Sequence, residues 1–260
     1  MRITTWNVNG VRARAERLRE FLFECKPDVL CLQELKIKDG ELAPTHFAEL
    51  GYELSFVGQA GWNGVGVLSR GPIETRTRAL PGAEEAGARF LHVSTLGLEV
   101  VSVYVPNGKT EEHPDFALKK AWLARLGDWL EARTPREAPL VVAGDFNVCT
   151  ADLDSYLGEP ARGTIFHTEE ERALIARVAG AGLVDTFRVK HPDEPGFSWW
   201  DYRAGAFHKK LGMRIDLVFA TPTLAARVAD VTVDREFRKK SKKTGAVPSD
   251  HAPVTATLQD

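Results

Sequence analysis

The sequence has 260 residues, 43% of them hydrophobic and 27% charged, a composition that can bury a sizeable core and excludes a disordered chain. Its formal net charge of −2 carries no global signal for a polyanionic partner. No apolar run approaches the roughly 20 residues of a membrane helix, and the start, Met1-Arg2-Ile3-Thr4-Thr5-Trp6, lacks the apolar segment of a secretory signal, so a cytoplasmic protein with no membrane partner is expected.

In chain order, Ile3, Thr5 and Asn7 alternate with Thr4, Trp6 and Val8, which predicts a strand ending at Asn9-Gly10. Val11, Ala15, Leu18, Leu22 and Cys25 recur at helical spacing, and Pro27 ends that helix. Residues 28–33 (DVLCLQ) form a short apolar run read as a buried strand, with Glu34 at its exit. Further strands are predicted over 65–69, after Asn63-Gly64, and over 98–105. Leu118, Trp122, Leu126, Trp129 and Leu130 mark an amphipathic helix over 114–133. Residues 140–143 read as buried strand leading into Gly144-Asp145-Phe146-Asn147. Thr168-Glu169-Glu170-Glu171 has capping-box spacing and opens a helix that ends near Gly180-Ala181-Gly182. Strands over 215–220 and 253–258 close the series, with Ser249-Asp250-His251 just before the last. Cys25, Cys31 and Cys149 are odd in number and lack CxxC spacing, so they read as reduced thiols rather than a disulfide frame or zinc site. Without a linker, repeat or break in composition, the chain reads as one mixed α/β domain over 1–260. Pattern alone leaves two arrangements open, a parallel sheet between helices and a two-sheet sandwich with outer helices.

Polar residues recur where these strands end: Asn7, Glu34, Tyr104, Asp145 with Asn147, Asp216, and Asp250 with His251. A single strand-end aspartate is usually a turn cap. Repetition across one domain points instead to a convergent polar site. On the metal side Glu34, Asn7, Asp250, Asp145 and Asn147 offer only oxygen donors, which suit Mg²⁺ or Mn²⁺ better than zinc. His251, beside a carboxylate, has the chemistry to face a phosphate. The chain has no GxSxG elbow and no GxxxxGK[ST] loop, against a serine hydrolase or a P-loop nucleotidase. Two clusters of cations, Arg12, Arg14, Arg17 and Arg19, and Arg235, Arg238, Lys239, Lys240, Lys242 and Lys243, read either as solvated faces or as phosphate contacts.

Taken in order, Thr5-Trp6-Asn7-Val8-Asn9-Gly10, Leu32-Gln33-Glu34-Leu35-Lys36, Tyr104-Val105-Pro106-Asn107-Gly108, Gly144-Asp145-Phe146-Asn147, Arg214-Ile215-Asp216 and Ser249-Asp250-His251-Ala252-Pro253-Val254 resemble the blocks of exonuclease III-like abasic endonucleases, within the endonuclease/exonuclease/phosphatase superfamily. The resemblance implies a four-layered α/β sandwich: two packed, mixed and mostly antiparallel sheets with helices on both outer faces. It implies Mg²⁺-dependent (or Mn²⁺-dependent) hydrolysis of duplex DNA 5′ of abasic sites or at 3′ ends, by a monomer. Asp145, Asn147, His251, Asp216 and Tyr104 take the catalytic roles in this reading, with Asp145 preparing water, His251 facing the phosphate and Asp216 orienting it. The stretch Phe197-Ser198-Trp199-Trp200-Asp201-Tyr202-Arg203, with Met213 and Ile215 after a loop, resembles the lining of a pocket for a flipped-out abasic sugar. Asn107, Arg12, Trp199, Trp200, Met213, Ile215, Lys239 and Lys240 then stand on the DNA side. Two departures are visible: Asn9 occupies a position where some family members carry aspartate, and the basic stretch before Ser249 is longer. A lipid- or inositol-directed phosphatase of the same superfamily fits the 197–216 stretch less well. A non-catalytic DNA-binding relative fits poorly, because Glu34, Asp145, Asn147, Asp216 and His251 are all present.

Overall fold

Strands that are apolar at consecutive positions must be covered on both faces. The computed structural model, which describes residues 1–43, 45–133 and 138–259, shows how that is done. In chain order the elements are β1 (Arg2–Asn7), α1 (Ala15–Cys25), β2 (Val29–Gln33), α2 (Thr45–Ala48), β3 (Glu53–Val57), β4 (Val65–Ser69), β5 (Glu74–Thr77), β6 (Phe90–Thr95), β7 (Leu98–Tyr104), α3 (Pro114–Glu131), β8 (Leu140–Asp145), α4 (Glu169–Gly180), β9 (Val184–Asp185), α5 (Thr186–Lys190), β10 (Asp216–Ala220), α6 (Pro222–Ala225), β11 (Val228–Val233) and β12 (Val254–Leu258). They form two 6-stranded sheets, β11-β12-β1-β2-β4-β3 and β5-β6-β7-β8-β10-β9. β1 with β2 and β7 with β8 run parallel, and the other pairs are antiparallel.

Alternation sorts the side chains into layers. Ile3, Val29, Cys31 and Val67 of one sheet meet Val93, Val100, Val141, Ala143 and Val218 of the other. The intervening residues point outward: Trp6, Leu30, Leu32 and Leu68 pack under Leu18, Phe21 and Leu22 of α1 and Phe47 of α2. On the far side Val101, Val103, Val142 and Phe219 pack under Trp122, Leu123 and Leu126 of α3 and Ile175 and Val178 of α4. The result is a four-layered α/β sandwich, which excludes the doubly wound parallel sheet.

The capping box closes as its spacing predicts: Thr168 Oγ1 accepts from the Glu171 amide at 3.1 Å and the Glu171 carboxylate from the Thr168 amide at 3.0 Å. The first helix differs from expectation. It begins at Ala15 rather than Val11, because Asn9 (φ 47°) and Gly10 (φ 100°) turn the chain and residues 11–14 complete that turn.

The inward rows do not stay apolar. Toward one end they become Thr5 and Asn7 on β1, Gln33 on β2, Ser102 and Tyr104 on β7, Asp145 on β8 and Asp216 on β10. Register puts Tyr104 beside Asp145 and Asp145 beside Asp216. The polar residues bridge the sheets, with Thr5 Oγ1 donating to Gln33 at 3.2 Å and Gln33 Nε2 to Ser102 Oγ at 3.3 Å. One end of the inter-sheet layer is therefore a polar cleft.

Candidate active site

Three turns at this end carry non-glycine residues in the left-handed region: Asn9 (φ 47°), Glu34 (φ 53°) and Asn147 (φ 50°). Asparagine tolerates that conformation, but a glutamate there is strained by about 1–3 kcal/mol, and such strain collects where the surroundings dictate a side-chain direction. Glu34 is aimed at Asn7, whose Nδ2 lies 2.8 Å from Glu34 Oε1 and 2.9 Å from Asp145 Oδ2. The same Glu34 oxygen accepts from the Tyr104 hydroxyl at 2.9 Å, and Glu34 Oε2 faces Lys36 Nζ at 2.8 Å. Opposite, His251 Nδ1 donates to Asp216 Oδ2 at 2.8 Å, and its Nε2 lies 3.9 Å from Asp145 Oδ2. Ser198 Oγ donates to that Asp216 oxygen at 2.6 Å. Asn147 receives the Asn107 amide on its side-chain oxygen at 3.2 Å.

Ligand atoms of Glu34, Asp145 and His251 lie within 4.8 Å of one another, the grouping of its kind among the described residues. Asp250 stands outside it, with one oxygen taking Asn9 Nδ2 at 2.9 Å and the other Trp199 Nε1 at 3.1 Å. Asn7 directs its amide N–H groups, not its oxygen, at Glu34 and Asp145.

Electrostatics separate these groups. Burial pushes the Asp145 carboxyl up, and Asp216 and Glu34 add to the effect against the charge of His251. Burial alone would lower His251, but the charge and hydrogen bond of Asp216, with Asp145 and Asp250, raise it to about 10. Glu34 is also opposed by burial, yet hydrogen bonds from Asn7 and Lys36 and the charge of Lys36 hold it below the usual range. Burial beside Glu34 and Asp145 pushes the Tyr104 hydroxyl well up. The cleft therefore favours charge on His251 and Glu34 and opposes it on Asp145.

Beside this cluster lies an apolar cavity of about 420 Å³ whose lining includes Leu157, Phe166, His167, Trp199, Leu211 and Met213. Backbone bridges join Trp199 to both Met213 and His251, so the cavity wall and the imidazole share one scaffold. Two predicted DNA-side residues are displaced from it. Trp200 is 0% exposed and packs with Ala206, Phe207 and Ala252, because consecutive residues of an extended segment face opposite ways. Ile215 is 3% exposed and lies behind Met213 against Cys149 rather than on the lining.

The basic stretch is likewise not a row of free cations. Arg238 is buried, donating to the carbonyls of Asp250 at 3.1 Å and Trp200 at 3.0 Å. Arg235 stacks over Trp200, Lys239 pairs with Glu236 and Lys243 with Glu24. Lys240 lines an open groove with His208, Tyr202 and Lys239. Arg12 is exposed and pairs with Glu41 at 3.0 Å, while its neighbour Arg17 is buried against Glu20 and Phe237.

Sequence reading passed over Lys36, Arg89 and Ser198 as site residues. Lys36 sits in the same block as Glu34 and was open to detection. Arg89, which lies 4.7 Å over the Tyr104 ring, comes from an element with no local motif, and Ser198, which shares Asp216 with His251, sits in the 197–203 stretch read only for its pocket side.

Comparison with known proteins agrees with this geometry. A family model described as the endonuclease/exonuclease/phosphatase family matches residues 4–251. Exodeoxyribonuclease III of Haemophilus influenzae is 33% identical over 273 residues, covering 100% of both chains. Among solved structures, a 3′ phosphatase from Neisseria bound to a product DNA hairpin superposes with a TM-score of 0.92 at 35% identity, over 100% of each chain. An AP endonuclease from Archaeoglobus fulgidus does so with a TM-score of 0.93 at 31% identity, again over 100% of each chain. With a family match across nearly its whole length and relatives of this identity aligned end to end, the chain belongs to the endonuclease/exonuclease/phosphatase family.

Proposed function

We propose that this protein is a Mg²⁺-dependent phosphodiesterase of DNA repair that hydrolyses duplex DNA on the 5′ side of an abasic site and leaves a 3′-hydroxyl, with 3′-to-5′ exonuclease and 3′-phosphatase action at the same centre. The observation that carries the reading is the convergence of Glu34, Asp145 and His251, from both sheets, beside an apolar cavity. A sugar without a base fits an apolar space that a paired nucleotide cannot enter, and its extrusion breaks no base pair.

The residues present suit a hard divalent cation: Glu34 and Asp145 offer carboxylate oxygens within reach of each other, with no thiol in the set. Glu34 would hold the ion, with Asp145 beside it and Asn7, Asn147 and Asp250 around the pair; Mn²⁺ shares this preference for oxygen. When bound, the ion supplies Lewis-acid stabilisation of phosphate charge. Asp145, whose charge is opposed by burial, accepts a proton from the attacking water. His251, charged and fixed by Asp216, donates from Nε2 to a phosphate oxygen. Asn147 and Asn107 present amide hydrogens toward the same phosphate. Tyr104 donates to Glu34 in this structure and is assigned to holding that carboxylate, with phosphate contact as a second task.

On the DNA side, Trp199 and Met213 wall the sugar cavity, Arg12 reaches backbone phosphate at the rim, and Lys239 and Lys240 contact it from their groove. Trp200 and Ile215 support that wall from behind. The whole chain acts as one domain, as a monomer, in the cytoplasm; no helix among the described residues is long and apolar enough to cross a membrane. The deciding experiment uses labelled duplexes that are abasic, nicked, recessed at the 3′ end or 3′-phosphorylated, each with Mg²⁺, Mn²⁺ or chelator. Metal-dependent incision of the abasic duplex with a 3′-hydroxyl product is expected. Cleavage of none of the four, or undiminished cleavage in chelator, would overturn the proposal.

A further inference from the structure

Behind the two asparagines of the cleft lies a cation that the proposed chemistry does not use. Lys119 projects from α3, and its side chain and that of Glu171 are both 0% exposed. An ammonium has three N–H groups, and here each has an acceptor: the Asn147 carbonyl at 2.6 Å, the Asn107 carbonyl at 3.2 Å and the Glu171 carboxylate at 2.5 Å. Glu171 in turn accepts from the Phe166 amide at 3.2 Å and from Thr168 through its amide at 3.0 Å and its hydroxyl at 2.9 Å. The loop above is closely fitted, since a Cβ on Gly108 would come 2.9 Å from Ile165 Cδ1 and 3.2 Å from Lys119 Cδ.

A buried ion pair is a weak source of stability, and apolar residues of similar volume commonly do as well. Its value here lies in what it joins. Asn147 stands in a left-handed turn (φ 50°), and its side-chain oxygen already takes the Asn107 amide. The Asn147 carbonyl is buried, where lack of a donor costs about 1–3 kcal/mol, and the part-buried Asn107 carbonyl faces the same nitrogen. A hydroxyl would serve one of them, and a side-chain amide, with two N–H groups, would have none left for Glu171. The ammonium serves both carbonyls and Glu171 from a single atom, so it fixes the two backbones relative to each other and to α4. Through Glu171 the same point is tied to residues 166–168, and Phe166 and His167 line the apolar cavity.

We propose that Lys119 and Glu171 are a positioning pair that sets the Asn107 and Asn147 amides at a defined distance from the Phe166–His167 wall of the apolar cavity, so that phosphate and sugar of one nucleotide are held together. The inference rests on the functional reading above, in which those amides face the scissile phosphate and the cavity takes the sugar.

The test is the double variant Lys119→Met/Glu171→Gln, which leaves no uncompensated buried charge. Loss of the donor to the asparagine carbonyls should lower the melting temperature, but in protein shown folded by circular dichroism kcat on the abasic duplex should fall about 10- to 100-fold, the scale set by misplacing a positioning group by about 1 Å, while KM moves less than about threefold. A purely structural pair would leave kcat of the folded protein unchanged, and that result overturns the inference. If wild type itself fails to cut the abasic duplex, the functional reading fails instead. Should the double variant not fold, Glu171→Gln decides, read on the folded fraction, because Lys119, charged or neutral, keeps N–H groups for both asparagine carbonyls while its tie to the cavity wall loosens. It should lose about fivefold or more on the abasic duplex and stay within about twofold of wild type in releasing a 3′-phosphate. Equal loss on both substrates, or loss on neither, sinks the idea.

Discussion

Asp145 and Asp154 are buried aspartates nine positions apart, and the fold treats them in opposite ways. Asp145 ends β8 in the cleft, where each oxygen takes a single amide, Asn147 N–H at 3.0 Å and Asn7 Nδ2 at 2.9 Å, with only a distant imidazole as counter-charge, and burial pushes its carboxyl up. Asp154 lies outside the cleft. One of its oxygens takes Arg214 Nε at 2.6 Å and also Arg188; the other takes the Thr150 hydroxyl, the Ala151 amide at 3.0 Å and Arg214 Nη2 at 3.1 Å. Burial opposes its charge too, but Arg214, Thr150 and Arg188 hold it below the usual range. A carboxylate with every lone pair engaged is structural. One left short of partners has affinity to spare for a metal, a water or a proton. The comparison teaches that burial alone does not mark a functional acid; the completeness of its hydrogen bonding does.

The largest effect expected is on metal removal. Chelator should abolish cleavage of the abasic duplex and added Mg²⁺ restore it, and more than about a tenth of the rate surviving would contradict a metal role at Glu34 and Asp145. Next, Asp145→Asn and His251→Ala should each lose on the order of 10²–10³ in rate with an unchanged circular dichroism spectrum. Retention of more than about a tenth of wild-type rate would remove the distinction between the two aspartates. Asp154→Asn should behave in the reverse manner, costing about 3–5 kcal/mol in urea unfolding because Arg214 and Arg188 lose a buried counter-charge, while kcat of the folded fraction stays near wild type. This cost also depends on pH. Asp154 is held below its unfolded value of about 4, so its contribution is complete above that value and disappears as pH falls through the lower folded value. The stability gap between wild type and Asp154→Asn should therefore shrink in strong acid, and a gap that widens there would contradict the assignment. The smallest effect belongs to the basic stretch. Replacing Lys239, Lys240, Lys242 and Lys243 by alanine should reduce the salt slope of duplex binding by about two units rather than four, since Lys239 and Lys240 line the groove and Lys243 is already paired with Glu24. An unchanged slope would mean this face makes no phosphate contact.

Much of the site was legible because strand parity and strand ends are local properties. Asn7, Tyr104, Asp145 and Asp216 each end or begin a strand on its inward row, so their placement followed from alternation once the strands were found. The strands that escaped notice are instructive. β3, β5, β9 and β11 are the four sheet edges, where exposed positions and short length dilute the hydrophobic pattern; β6, next to β5, was missed with them. The architecture itself came from resemblance, because no single-strand pattern says which sheet a strand joins. The pairing of Lys119 with Glu171, of Ser198 with Asp216 and of Arg238 with the Asp250 carbonyl had no sequence signal. Each is a long-range contact of a residue type that reads as solvent-facing. Trp200 failed as a pocket residue for a related reason: its neighbour Trp199 has the same chemistry and the opposite direction.

The pairing of β1 with β12 sets the timing of synthesis as well as the shape of the cleft. Trp6 Nε1 reaches the His251 carbonyl at 3.1 Å and Ser249 Oγ the Asn7 carbonyl at 2.7 Å, contacts that span more than nine-tenths of the chain. A ribosome must therefore deliver β12, Val254–Leu258, before the first strand acquires its second neighbour, and until then an apolar ribbon waits with an open side. Nascent chains halted short of that point should carry no nuclease at all rather than a weakened one, so a cell making this enzyme never exposes its DNA to a half-built cutter.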